Sequence, residues 1–248
     1  MAYQAGKIFQ KNVSYQSVTL VSDPATGGTG PYTYQWYRDL WPEFTPGSGN
    51  LLPGLTSLMA TDTGLTQNTI YFYKLQAIDT GNGNLPANSD PFGVLTAVNR
   101  TGAGPWVDPS VQQFKWFFTR DFPFGTDPNT GILDFDVLRA MQACNSTFRS
   151  DIWNNQGEYN QAYLYLTAHH LVSNMQASSQ GVAAEYEFIH QSKSALGVSA
   201  SSMIPTAIQD GPLQAALVKT PYGKRYWEMV RPRVVGTFYA VENRVSPL

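Results

Sequence analysis

The feature that most constrains this chain is a change of period at Thr101-Gly102-Ala103-Gly104-Pro105. Before it, apolar and polar residues alternate every second position, whereas after it apolar residues recur at helical spacing behind capping residues. One backbone geometry cannot satisfy both periods, so two unlike modules are expected, residues 1–100 and 105–248, joined by a short Gly/Pro seam of the kind that separates domains. Neither module shows a catalytic constellation at first reading.

Composition bounds the possibilities. At 248 residues each module is long enough to bury its own core, and 42% hydrophobic against 14% charged residues argues against disorder. A formal net charge of −2 argues against general nucleic-acid binding. The charge is unevenly placed: residues 101–218 carry five basic and ten acidic residues, whereas six basic stand against two acidic from Lys219 onward. The second module is thus expected to have an acidic body and a basic tail. The single cysteine, Cys144, cannot close an internal disulfide and reads as a small core residue. No apolar run reaches membrane-spanning length, and Met1-Ala2-Tyr3-Gln4 lacks the start of a signal peptide, so neither a membrane nor a secretory address is expected.

In the first module Val18-Thr-Leu20-Val predicts a strand. Tyr32-Thr-Tyr34-Gln-Trp36-Tyr predicts another with Tyr32, Tyr34 and Trp36 on one face, and residues 69–77 put Tyr71, Tyr73, Leu75 and Ala77 on one side of a third. Short strands between Gly/Asn/Pro turns predict an antiparallel sandwich. The run from Leu65 to Asp79 then resembles the E-to-F corner of fibronectin type III and related immunoglobulin-like domains, with Leu65 and Tyr71 at the tyrosine-corner positions. The resemblance spans about residues 15–98 and implies an all-β sandwich without implying a ligand. Trp41 and Phe44, in a Pro-containing loop, are candidates for stacking on a sugar ring, weighed against simple burial at the end of the sandwich. The sequons at Asn12, Asn99 and Asn145 are short enough to arise by chance.

In the second module Asp108-Pro109 predicts a helix start, with Val111, Phe114, Phe117 and Phe118 at helical spacing until Phe122-Pro123. A second helix begins at Asp134 along Leu138, Met141, Cys144 and Phe148. A third, about Glu158–Met175, is apolar around most of its circumference, as a buried central helix is. Residues 185–190 and 195–200 read as a small β-arm, and Asp210-Gly-Pro212 opens a short helix through Val218. Thr220-Pro221 caps a last helix ending at Pro232, and the β-branched and aromatic run Val234–Val241 reads as a final strand or extended C-terminal arm. The fold expected is therefore an N-terminal β-sandwich followed by a mainly helical bundle with a small β-arm.

Thr220-Pro221-Tyr222-Gly223-Lys224-Arg225-Tyr226-Trp227, with Ser194-Ala-Leu-Gly197-Val-Ser199 and a central helix carrying Ala168-His-His170-Leu171, resembles bacteriophage head-to-tail adaptor (neck connector) proteins over about residues 107–233. The resemblance implies a non-enzymatic virion protein that assembles in the host cytoplasm into a homo-oligomeric, dodecameric ring. Its implied neighbours are the portal protein and a tail-terminator or other tail protein. A ring needs two different complementary surfaces on each subunit, and the basic tail beside an acidic body supplies opposite charges. The candidate interface residues are Tyr222, Lys224, Arg225, Tyr226, Trp227, Arg231, Arg233, Phe238 and Tyr239. The same cations interleaved with aromatic residues are also a pattern for DNA in a channel. A rival from another class is an accessory protein whose sandwich binds polysaccharide or a host surface through Trp41 and Phe44.

Candidate chemistry is thin. His169 and His170 are adjacent on a helix, about 100° apart, and cannot share an ion, so structural roles are expected; His190 is isolated. Glu185 and Glu187 would share a face of a strand, which suits solvated charge better than an acid/base pair. Asp127-Pro-Asn129-Thr-Gly131 has half a calcium loop and reads as a turn, and Gly27-Gly28-Thr29-Gly30 has no helix after it to complete a phosphate cradle. No metal or cofactor is therefore expected.

Overall fold

The computed structural model describes residues 3–100, 106–127, 131–180, 193–195, 198–200 and 212–242. Antiparallel sheets occupy the N-terminal part and helices the C-terminal part, as the change of period requires. The chain divides into two compact units, Met1–Thr101 with Phe118–Ser146, and Gly102–Phe117 with Thr147–Leu248. The stretch Phe118–Ser146 belongs to the unit that holds the sheets.

In the first unit β1 (Ile8–Val13), β2 (Ser17–Ser22) and β4 (Met59–Thr63) form one sheet in the order β1-β2-β4. The other places β3 (Tyr32–Asp39) beside β5 (Ile70–Asp79), whose far edge takes β6 (Leu85–Asn88) on one half and β7 (Phe92–Leu95) on the other. Val18, Leu20 and Ala60 from the first sheet meet Trp36, Tyr71, Tyr73, Leu75 and Val94 from the second in one buried cluster. The face read from alternation in β5 is the core: Tyr71, Tyr73, Leu75 and Ala77 are all buried. Tyr71 Oη accepts the Thr66 N–H at 3.1 Å, which pins the turn before β5 to the strand that follows it.

Asp62 projects into this core from β4, where Ala60 and Asp62 alternate with exposed neighbours. Its Oδ2 receives Arg38 Nη1 at 2.8 Å from β3 and the Tyr73 hydroxyl at 2.9 Å from β5, so one carboxylate joins both sheets. Burial, and then the Asp62 charge, raise the Tyr73 pKa well above the usual phenol range and keep it protonated as a donor. The Arg38 guanidinium also lies 5.3 Å from the centre of the Tyr71 ring.

The first half of β5 is buried on both faces, because Ile70 and Phe72 are covered as fully as Tyr71 and Tyr73. The cover is α2 (Asp134–Thr147): Phe135 meets Phe72 edge-on at 5.5 Å. A Cβ on Gly93 of β7 would come within 2.7 Å of Leu138 Cδ1 and 3.0 Å of Phe72 Cε1. Asn68, at φ 50°, completes the attachment. Its carbonyl accepts Gln142 Nε2 at 2.8 Å, and its Oδ1 accepts Asn145 Nδ2 at 2.9 Å. Asn145 of the third sequon is thus committed to packing.

In the second unit α1 (Val111–Phe117) is capped by Ser110, whose Oγ accepts the Gln113 N–H at 3.3 Å while Gln113 Oε1 accepts the Ser110 N–H at 2.8 Å. Asp108, expected as the cap, accepts the Tyr159 hydroxyl instead. The helix stops at Phe117, before the expected Phe122, and 118–122 turn away in the other unit. α3 (Gln156–Gln180) is the long helix expected, and α4 (Pro212–Leu217) is the short one. Of the β-arm, β8 (Lys193–Ala195) pairs antiparallel with β9 (Val198–Ala200), while residues 185–190 lie outside the described residues.

The extended C-terminal arm is overturned. α5 runs Pro221–Glu242 with Pro232 inside it, so Val234–Val241 is helical rather than a strand. A helix already nucleated over residues 221–231 gains a bond with each added residue, and this outweighs a β propensity worth only tenths of a kcal/mol per residue.

Replacing Asp62 by Ala strands the Arg38 cation and the buried Tyr73 hydroxyl, and is expected to cost about 2–3 kcal/mol. Urea denaturation of the full chain checks this against Thr61→Ala on the exposed face, expected to stay within about 0.5 kcal/mol of wild type.

Candidate interaction surface on the last helix

α5 is held to α3 at its first turn by three residues in contact. Thr220 Oγ1 accepts the Gly223 N–H at 3.0 Å and lies 2.8 Å from His169 Nδ1. The hydroxyl oxygen thus serves Gly223 and the His169 ring at once. Position 223 admits no side chain: a Cβ there would stand 2.0 Å from the Leu217 carbonyl oxygen and 2.7 Å from His169 Nδ1. Thr-x-x-Gly is therefore a cap and a close crossing in one motif.

Further along, Tyr226 and Val230 are buried. Phe148 gathers the surrounding rings, stacked on Trp153 at 5.9 Å and edge-on to Tyr159 and Tyr163 at 5.1 and 5.3 Å, with Tyr226 at 6.2 Å. Arg233 Nη2 meets Glu158 Oε2 at 2.7 Å, and its guanidinium lies 4.7 Å from the Trp153 ring centre. Because Gly223 faces His169 and Arg233 faces Glu158, α5 runs antiparallel to α3.

These contacts sort the candidate interface residues. Arg233, a candidate expected to face water with the other cations, is instead taken up by Glu158, which neutralises it, and Tyr226 is buried in the aromatic cluster, as a helical packing stripe of Tyr226, Met229 and Val230 implies. Tyr222 and Trp227 are half-buried, whereas Lys224, Arg225 and Arg231 are exposed. Arg225 keeps a loose pair with Glu228 at 3.6 Å. Phe238 and Tyr239 lie on the helical backbone of α5, with their side chains outside the described residues.

The two loop aromatics of the sandwich are treated differently. Phe44 is 9% exposed, with Lys74 Nζ 4.8 Å from its ring centre and donating to its carbonyl at 2.5 Å. Phe44 is thus a packing residue and cannot stack on a ligand. Trp41 is 70% exposed on a turn fixed by Asp39 Oδ1, which accepts the N–H groups of Leu40 and Trp41 at 2.7 and 3.3 Å.

The histidine pair has structural surroundings. The rings are 5.4 Å apart, His169 is bound to Thr220, and His170 Nε2 lies 3.4 Å from Thr147 Oγ1. Burial, then the neighbouring His170 and Lys219, push the His169 pKa down to about 4, and burial lowers that of His170. Glu185, Glu187 and His190 lie outside the described residues. The Gly131 N–H donates to the Asp127 carbonyl at 2.9 Å, closing that turn. Thr29 gives its N–H to buried Asp79 at 2.8 Å within the sandwich, and Cys144 is buried. Among the described residues no group of three His, Cys, Asp or Glu is placed to hold a metal, and no helix is long and apolar enough to cross a membrane.

No family model matches the chain, and no curated protein matches it. Among solved structures, the fn3 domain of human collagen alpha-1(XX) chain aligns at 15% identity over 42% of this chain and 94% of its own, with a TM-score of 0.31. A beta-1,2-glucanase from Parabacteroides distasonis aligns at 13% identity over 71% of this chain and 24% of its own, with a TM-score of 0.29. Neither likeness is close enough to carry an argument.

The second unit is expected to lose stability as acid is added. His169 is 6% exposed and its folded pKa lies below the unfolded value, so its contribution is complete above about pH 6.5 and is lost as pH falls toward 4. The span corresponds to about 3 kcal/mol. Melting temperatures across this window, compared with His169→Leu, check the assignment: the variant is expected to start less stable and to show a flatter profile.

Proposed function

We propose that the chain is a non-enzymatic bacteriophage virion protein, a neck adaptor forming a homo-oligomeric ring between portal and tail, with a fibronectin type III or immunoglobulin-like sandwich turned outward. The resemblance of residues 107–233 to the head-to-tail adaptor family brings the reading forward. One observation supports it. The motif that carries the resemblance divides by role: Thr220, Gly223 and Tyr226 fasten α5 to α3, while Lys224, Arg225 and Arg231 point cations to solvent. A subunit built to offer a charged helix face to its neighbours has this construction. The sandwich order β1-β2-β4 against β3-β5-β6/β7, with Tyr71 tied back to Thr66, supports the finer fold assignment in the same way.

Mass spectrometry of purified particles from the phage that encodes the chain is expected to find it in stoichiometric, multi-copy amounts, and particles lacking it are expected to have unjoined heads and tails. Its absence from finished particles would sink the reading.

The exposure of Trp41 on its pinned turn favours a second reading, an accessory protein whose sandwich binds polysaccharide or a host surface. On that reading Trp41→Ala lowers retention on immobilised cell-surface glycan by about tenfold, the scale of one lost stacking contact. Unchanged retention would end it.

A further inference from the structure

Two exposed surfaces of the sandwich carry opposite charge beside apolar side chains. Across the first sheet the register sets Phe9 beside Val21 and Val21 beside Met59, one row over all three strands. Val18, Leu20 and Ala60 fill the core, so by alternation the row lies on the outer face, where Phe9 is 44% and Met59 51% exposed. Two lysines lie along it: Lys7 Nζ is 5.7 Å from the centre of the Phe9 ring, and Lys11 Nζ donates to Met59 Sδ at 3.5 Å. The carboxylate of β1, β2 and β4 is Asp62 alone, and it points inward to Arg38 and Tyr73. The second surface is the loop after β3. Exposed Leu40 and Trp41 stand between Asp39 and Glu43, and no cation occurs from Asp39 to Asn50. The loop is held at both ends. Asp39 fixes the bend at Trp41, while Asn50 Oδ1 accepts the Gly47 N–H at 2.9 Å and its Nδ2 donates to the Thr45 carbonyl at 3.0 Å. Lys7, Lys11, Asp39 and Glu43 belong to no ion pair among the described residues.

We propose that the Leu40–Trp41 tip of one copy docks on the Phe9–Val21–Met59 row of a second copy, with Asp39 and Glu43 against Lys7 and Lys11. The contact goes beyond the neck reading and rests on its premise that the chain is a homo-oligomer. The occupant follows from charge. Whatever covers the row must bring carboxylates beside an apolar knob, and the chain carries that combination itself. Asp23 and Asp90, the other exposed acids among residues 3–100, each stand between a serine and a proline and bring no such knob. Knob and row are two different surfaces, one following β3 of the second sheet and the other on the outer face of the first. Such a contact repeats head to tail and closes into a ring when the rotation allows. Burial of the tip against the row supplies most of the affinity, and the charges set its orientation.

The test is carbodiimide cross-linking of an equal mixture of unlabelled and isotope-labelled full chain, read by peptide mass spectrometry. Amide links from Asp39 or Glu43 to Lys7 or Lys11 are expected in mixed-label pairs, with a yield that falls as salt rises. Trp41→Ala and Phe9→Ser, both at exposed positions, are expected to lower that yield at least about tenfold while the urea midpoint stays unchanged. Lys7→Glu with Lys11→Glu removes the links, and mixing it with Glu43→Lys is expected to restore one between position 43 of the second variant and position 7 or 11 of the first. Links confined to single-label pairs, no link at all, a wild-type yield in Trp41→Ala or Phe9→Ser, or no restoration on mixing would each overturn the contact. Heparin binding that depends on Lys7 and Lys11, without mixed-label links, would give the row to an acidic polysaccharide instead. Particle content judges the neck assignment separately: a chain abundant in virions that forms none of these links sinks this contact alone.

Discussion

The close crossing at Gly223 is the constraint on which the second unit depends. A helix can approach another element to within backbone distance only where no Cβ intervenes, and at this position one would collide with the Leu217 carbonyl oxygen and the His169 ring. Once α5 starts there, its direction along α3 is fixed by the Thr220 cap, and Tyr226, Val230 and Arg233 fall in turn on the same side. The neutral, buried His169 belongs to the same device. Its Nδ1 is hydrogen-bonded to Thr220, whose oxygen also accepts from Gly223, so a single chain of hydrogen bonds joins the centre of α3 to the first turn of α5.

The first unit solves a different problem, how to keep a helix on the outside of a sheet. A sandwich strand with one wet face alternates, and the later part of β5 does so. Where α2 lies on it, the alternation fails and Ile70 and Phe72 are buried too. Gly93 lets the helix approach, and Asn68, in the left-handed region where asparagine is better tolerated than most residues, turns its carbonyl and side chain to Gln142 and Asn145. Inside the sandwich, Asp62 ties both sheets through Arg38 and Tyr73. A buried carboxylate with two donors from different strands costs desolvation and disfavours any register that leaves it unpaired.

Much of this was legible in the residues, and the failures have physical causes. Period-two runs located β2, β3 and β5, and helical stripes located α2 and α3, because a one-sided core imposes those periods. A signal that early β5 is covered on both faces stands in the sequence too, in the unbroken apolar run Ile70-Tyr71-Phe72-Tyr73, although alternation alone reads it as a strand with one core face. What could not be read was which element would cover it, since that depends on distant residues. Val234–Val241 misled for another reason: its β-branched and aromatic side chains favour a strand only when no helix precedes them to be extended. Of the interface candidates, the exposed cations followed from helical spacing, but Arg233 shares that composition and is taken up by Glu158, a pairing set by the crossing of α3 and α5.

That last distinction bears on how the second unit can work. In a helix pinned at one end and apolar at the other, positions facing the support are tuned for packing and positions facing outward are free to vary with a partner. The motif Thr220-Pro221-Tyr222-Gly223-Lys224-Arg225-Tyr226-Trp227 interleaves both sets within two turns. A substitution at Thr220 or Gly223 acts through the placement of the whole helix and so moves every outward group at once. One at Lys224 or Arg231 changes a single charge on a surface that stays in place. On the neck-adaptor reading proposed above, rigid support behind a short run of exposed cations would limit the entropy lost on docking, the physical advantage of building such a surface on a helix crossing without side-chain slack.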